Sequence, residues 1–230
     1  MFKTLRNAWA IADLRKKMTF TIFMLIIFRL GSFIPVPNLN PEAMKAFVGG
    51  EQGLGLLTLF DAFTGGAFSN ATIFTMGITP YINASIIMQL LTVAIPALER
   101  MYKEGEEGRK KVTSITRYLT VVLAFIQATG LYFTLAARNA EGLTAVANPG
   151  VLSFFLITMS FTAGTAFIMW LGERITEKGI GNGISLLIFA GIVSRGPHMV
   201  TALYYRFLGQ NISALNAILL LLIIAIILLV

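Results

Sequence analysis

The run Thr72-Ile-Phe-Thr-Met-Gly-Ile-Thr-Pro-Tyr-Ile-Asn-Ala-Ser-Ile-Ile-Met-Gln-Leu-Leu-Thr-Val-Ala-Ile95 carries no charged side chain over 24 residues, and about 20 apolar residues suffice for a helix to cross a bilayer core. It is not uniformly apolar, however. At 100° per residue, Thr75, Ile78, Ile82, Ser85, Gln89 and Thr92 fall within one helix face about 100° wide. Along that face the order is polar, two isoleucines, polar. A helix lining a water path that narrows at mid-membrane would show this hourglass, because hydrophobic constrictions gate pores by dewetting. The same residues also suit interhelical packing, in which hydroxyls and amides hydrogen-bond across helices. Pro80, beside the isoleucines, frees the carbonyl of Met76 and predicts a local kink.

The surrounding chain has the same character. Of 230 residues, 56% are hydrophobic and 13% charged, whereas soluble domains average about 45–50% apolar and about 25% charged. Arg29 is the only charge between Lys17 and Glu42, and none occurs in 62–98, 118–137, 142–172, 179–194 or 207–230. Hydrophobicity all round such lengths means lipid contact. Spans are therefore expected near 18–36, 72–95, 118–137, 151–171, 183–203 and 214–230, giving an all-α, polytopic membrane protein. No cleaved signal peptide is expected, because the first apolar segment is long and runs into Phe33-Ile-Pro-Val-Pro37 without a small-residue cleavage site.

Six spans alternate sides, which sorts the basic residues. Lys3, Arg6, Arg15, Lys16, Lys17, Arg100, Lys103, Arg109, Lys110, Lys111, Arg117, Arg174 and Lys178 share one side, thirteen in all, against Lys45, Arg138, Arg195 and Arg206 on the other. The positive-inside rule places the first group, and the N-terminus, in the cytoplasm. Charge divided in this way argues against direct nucleic-acid specificity, which gathers basic residues on one soluble face. The absence of cysteine excludes disulfides, thiolate metal sites and a cysteine nucleophile, and the single histidine, His198, leaves little material for an imidazole metal site. No nucleophile, base and oxyanion site assemble, so neither an enzyme nor a cofactor is expected.

Residues 53–70 are apolar but hold four glycines and Asp61. Irregular backbone at membrane depth survives only inside protein or beside a water-filled cavity. The segment reads as a re-entrant half-helix or, alternatively, as an amphipathic helix on the membrane surface. Arg29 lies within reach of the outer interface by snorkelling and could instead pair with Asp61. Lys178-Gly-Ile-Gly-Asn-Gly-Ile-Ser185 lacks the Gly-Lys-Ser/Thr of a phosphate loop and reads as a glycine-broken helix junction, after which Ile184 and Ile188 share a face. The loop 99–111, dense in both signs, suits a solvated turn near anionic headgroups or the docking of a soluble partner.

Four stretches together, Phe28-Arg-Leu-Gly-Ser-Phe-Ile-Pro-Val-Pro37, Gly77–Leu91, Lys103-Glu-Gly-Glu-Glu-Gly-Arg-Lys-Lys111 and Trp170–Ser185, resemble the SecY family, pore subunits of the bacterial protein-secretion channel. The resemblance covers the whole chain in order. It implies a SecY-like helical bundle: one five-helix half of an inverted repeat plus the sixth helix, with a plug helix. It also implies a waist ring formed by Ile78, Ile82, Ile184 and Ile188. The plug would be Leu57-Thr58-Leu59-Phe60-Asp61-Ala62-Phe63-Thr64-Gly65-Gly66-Ala67-Phe68. The lateral gate that contacts signal sequences would include Asn83, Ile86, Gln89 and Leu90. Implied partners are the SecE and SecG membrane subunits, the SecA motor, the ribosome, signal sequences, translocating polypeptides and membrane lipids, at the bacterial plasma (inner) membrane. The chain stops inside its sixth expected span, so a truncated channel is expected.

Two other classes lead to different expectations. An inverted-repeat solute transporter would need an ionisable site at the midplane. A purely structural scaffold would have a dry stripe on the second span.

Overall fold

The computed structural model describes residues 11–49, 55–137, 139–140, 143–195 and 201. The chain divides into two compact units, 1–193 and 194–230, and the architecture below is that of the first. The helices are α1 (Ala12–Gly31), α2 (Pro41–Gly49), α3 (Gly55–Phe63), α4 (Thr79–Ala94), α5 (Pro96–Lys103), α6 (Glu106–Ala137), α7 (Val151–Lys178) and α8 (Gly183–Ser194). A two-residue antiparallel ladder, β1 (Asn139–Ala140) with β2 (Leu143–Thr144), follows α6. Among the described residues, α6 and α7 are each long and apolar enough to cross a membrane, and α4 with α5 would make a third span if the bent pair counts as one. The expected segment 214–230, most of 196–203 and His198 lie outside the described residues.

The largest departure from expectation concerns 72–95. Only Thr79–Ala94 is helical; residues 64–78 form a chain of turns. Pro80 occupies the first turn of α4, where the missing N–H would have had no intrahelical partner and the ring presets φ. It therefore starts the helix and produces no kink, and Thr75 lies outside the helical face on which the 3.6-residue period placed it. At the other end Ile95 is extended (φ −108°, ψ 112°), as a residue preceding proline prefers. The chain bends there by 101° into α5. Elsewhere the helices overrun the charge-free stretches: α6 starts in the charged loop at Glu106, and α7 continues to Lys178. By contrast, α1 ends at Gly31, short of Val36.

The 64–78 coil is where the packing converges. Except for the half-buried Asn70 and Ile73, every residue in it is buried. Its polar groups bond locally: Thr64 Oγ1 donates to Asp61 O (3.1 Å), Thr72 Oγ1 to Ala67 O (3.1 Å), and Thr75 Oγ1 to Thr72 O (2.5 Å). Two backbone bonds, Val36 N–H to Ala71 O (2.8 Å) and Ile73 N–H to Ile34 O (3.0 Å), tie it to the strand-like exit of α1. In this way the coil satisfies, inside protein, the backbone groups that lipid could not.

Phe74 anchors the coil. Its ring stacks on Phe28 of α1 (5.7 Å) and on Phe167 of α7 (6.1 Å), and Phe167 stacks on Trp170 (5.7 Å). Such pairs contribute about 0.5–1.5 kcal/mol each beyond area burial. Two glycines admit this arrangement: a Cβ on Gly31 would enter the Phe74 ring, and one on Gly164 would collide with the Ile73 carbonyl.

A second cluster lies around Val36, Leu39, Met44, Phe68, Val146, Ile157 and Phe161, joining α2 and the 144–150 loop to α6 and α7. Arg117 Nε donates to Glu173 Oε1 at 2.8 Å and links α6 to α7. That bond holds the Arg117 guanidinium above its already high ordinary pKa.

Candidate functional site

The four isoleucines singled out from the sequence come from two helices and meet in one cluster. Ile78 caps the start of α4 and is buried; Ile82 lies one turn on, and Ile184 and Ile188 project from α8. Met24, Phe28, Phe74, Ile168, Leu171, Ile175 and Leu187 complete the cluster, together with Ala67 of the coil. A cavity of about 20 Å³ lies against Ile78, Ile188, Phe63, Thr64, Gly77 and Leu187; it is about the size of one water and its lining is mostly apolar. The site is thus a greasy junction at which two helix starts and an irregular segment abut.

The helix starts are set by local chemistry. Asn182 Oδ1 accepts from Ile184 N–H (3.0 Å) and Ser185 N–H (3.3 Å), an N-cap that fixes where α8 begins and so where Ile184 sits. Gly172 and Gly183 let α7 and α8 touch: a Cβ on Gly183 would strike the Gly172 carbonyl, and one on Gly172 would lie 2.7 Å from Ile184 Cδ1. The glycine-broken junction itself is closed by Thr21 of α1, whose Oγ1 accepts from Ile180 N–H at 3.1 Å.

The segment expected as a plug divides into two unlike halves. From Leu57 to Phe63 it is helical and partly open, with Thr58, Leu59 and Phe63 exposed. From Thr64 to Phe68 it is fully buried coil. Asp61 sits at the seam, fully buried, and its Oδ1 accepts from Ser69 N–H at 2.8 Å. Gly65 (φ +66°) and Gly66 (φ +89°) then turn the chain through the left-handed region, which costs glycine little. The Arg29 guanidinium, stacked on Phe33 (4.9 Å), donates to Gly65 O at 3.2 Å. Charge spacing in the sequence placed Arg29 near an interface or near Asp61; this carbonyl contact carries no sequence signal, because the acceptor is backbone.

A family model described as SecY matches residues 72–230. The chain belongs to the SecY family. Among curated relatives it is 46% identical over 222 residues to the protein translocase subunit SecY of Aquifex aeolicus, covering 95% of this chain and 51% of that protein. With the subunit of the same name from Bacillus licheniformis it shares 48% identity over 205 residues, 89% of this chain and 46% of the other. The chain thus spans about half the length of the SecY proteins it matches. Among solved structures, Sec61 in the canine ribosome–channel complex from the endoplasmic reticulum is similar, with TM-score 0.53 and 25% identity over 79% of this chain and 36% of that one.

The remaining residues that the SecY resemblance singles out lie on α4. Asn83 is half-buried, whereas Ile86, Gln89 and Leu90 are exposed, with Ile87 and Val93 on the same side. Ala84 and Met88 form the buried side of α4. Gln89 and Thr92 of the polar stripe are thus on or beside open surface; Thr92 Oγ1 is turned back to Gln89 O at 2.7 Å. Among the described residues no group of three or more His, Cys, Asp or Glu could hold a metal ion.

Proposed function

We propose that this chain forms one half of a protein-conducting channel that passes unfolded polypeptides across the plasma membrane and releases hydrophobic segments sideways into lipid. The observation carrying this reading is the junction at which Ile78, Ile82, Ile184 and Ile188 share one apolar cluster with Ala67 of the plug coil, in a chain of the SecY family. Aliphatic side chains around a narrow path exclude water and ions when empty and can yield around a polypeptide, since they form no directional bonds that must be broken. Leu57–Phe68 acts as the plug over this waist, and the open face of α4, with Asn83, Ile86, Gln89 and Leu90, as one wall of the lateral gate. The site binds and guides and performs no covalent chemistry.

The basic excess at Lys3–Lys17, Arg100–Arg117 and Arg174–Lys178 supports a cytoplasmic N-terminus. In this reading the mostly exposed corner where α5 meets α6, residues 99–111, faces the cytoplasm, where the SecA motor and the ribosome act, while SecE and SecG pack in the membrane. Cysteine introduced at Ile82 of the assembled channel tests the waist. A secretory polypeptide arrested halfway and carrying one thiol near its stalled segment forms a disulfide with that residue. No disulfide at Ile82, with an efficient one at an exposed site such as Tyr118, would reject the assignment.

A further inference from the structure

We propose that Thr176 of α7 is a positioning residue of the waist: its hydroxyl fixes the rotation of α8, and with it the direction in which Ile184 and Ile188 point. This rests on the waist reading above and adds to it what holds two of the four isoleucines in place.

The sequence of α8 does not set that rotation by itself. Large apolar side chains occupy positions 184, 186–189, 192 and 193, so at about 100° per residue they point all round the helix. Turning it would bury a different apolar face with little loss of area. In the structure Gly183, Leu187 and Gly191 form the buried seam, and Ile184 and Ile188 each lie one residue further round. Glycine at two of the three seam positions permits close approach, yet has no side chain to define an angle. The Asn182 cap travels with α8: it fixes where the helix starts and leaves its rotation open.

A directional tie to a neighbouring helix is what a fixed rotation requires, and Thr176 supplies one. Gly183 N–H donates to Thr176 Oγ1 at 2.9 Å, and the same hydroxyl donates to Gly172 O, one turn back in α7, at 2.9 Å. A hydroxyl has one hydrogen to give and lone pairs to receive, so both roles are met at once. The bond to Gly172 O also selects among the few χ1 rotamers of a β-branched side chain, which keeps the accepting lone pair aimed at α8. Around this relay the backbones interlock: a Cβ on Gly183 would lie 2.0 Å from Gly172 O and 2.7 Å from Ile175 Cβ. The first turn of α8 thus sits in the 172–176 turn of α7, and Ile184 follows directly on the residue that is tied. At the other end of the junction the Thr21 hydroxyl holds Ile180 N–H, so the link is anchored on both sides of Gly181 and Asn182.

Thr176 is exposed, so Thr176→Val keeps the branched shape, removes the acceptor and leaves the interior packing untouched. In the assembled channel, reconstituted in planar bilayers, this variant should raise resting ion conductance about two- to tenfold, the population shift that one net hydrogen bond supports. Its unfolding temperature in detergent should stay close to wild type. Thr176→Ser, which keeps the hydroxyl, should return the seal to wild type. An unchanged leak in Thr176→Val, an equal leak in the Val and Ser variants, or a leak that comes only with a lowered unfolding temperature would reject the positioning role.

Because the chain lacks cysteine, the rotation can also be read directly. A single thiol from Ile188→Cys should be alkylated by a water-soluble maleimide several-fold faster once Thr176→Val is added; equal rates would overturn the proposal whatever the conductance shows. Ile184→Gly separates the two claims. If it leaks and Thr176→Val does not, the waist stands and the role of Thr176 fails. If Ile184→Gly does not leak, the waist reading falls, and the role proposed for Thr176 falls with it.

Discussion

Residues 64–78 and 79–94 are neighbours in sequence and equally free of charge, with 7 of 15 and 10 of 16 residues hydrophobic, yet one is a buried coil and the other a helix with an open face. Hydropathy cannot separate them, since both would partition out of water. What separates them is backbone satisfaction. The helix meets its own hydrogen bonds and can present Ile86, Leu90 and Val93 to lipid or to a passing apolar segment. The coil meets only part of its own through local turns and takes two further backbone bonds from the exit of α1, so it sits wrapped by α1, α7 and α8, with threonines bonding back to main-chain carbonyls. Wrapped backbone suits a fixed seat, and an open helix face suits a movable wall; the function proposed for this half-channel needs both.

The contrast can be broken most forcefully on the coil side. Phe74→Ala should lower stability by about 3–5 kcal/mol, as truncation of a fully buried aromatic does, read as a fall in the unfolding temperature of the purified protein in detergent. Gly164→Ala comes next, at about 2–3 kcal/mol, because its methyl would have to displace the Ile73 carbonyl in a packed interior. Arg117→Ala should cost about 1 kcal/mol: Glu173 is only 14% exposed, but Arg117 is 44% exposed and screened by water. Because the hydrogen bond raises the Arg117 pKa further, alkaline solution up to pH 10 should leave that pair intact, with no titration of stability there from this residue. On the helix side Leu90→Ala should change stability by no more than about 0.5 kcal/mol and yet reduce crosslinking of an apolar segment to α4. A stability loss at Leu90 as large as that at Gly164 would erase the distinction between seat and wall.

The same contrast explains what could be read in advance. Charge-free length identified the membrane and the helices α6 and α7, because a long apolar run with no glycine-rich interruption has one outcome. The start of α4 was misplaced because Pro80 has two meanings, a kink inside a helix or a first-turn residue, and only the coil before it decides between them. Thr75 fitted a helical face by arithmetic but belongs to a turn whose partners, Ala67 and Thr72, offer only carbonyls. The meeting of Ile78 and Ile82 with Ile184 and Ile188 came through family resemblance, since a tertiary contact across a hundred residues leaves no local pattern. Arg29 on Gly65 was hidden for the same reason, and Asn182 could have been found, because an Asn two residues before a helical apolar run is an N-cap signal.

The central claim is that the isoleucine junction is the seal. Ile78→Gly together with Ile82→Gly in the assembled, resting channel, reconstituted in planar bilayers, measures it most directly. The account predicts a resting ion conductance well above wild type, with the plug still in place. A conductance indistinguishable from wild type would contradict it and leave the four isoleucines as ordinary packing.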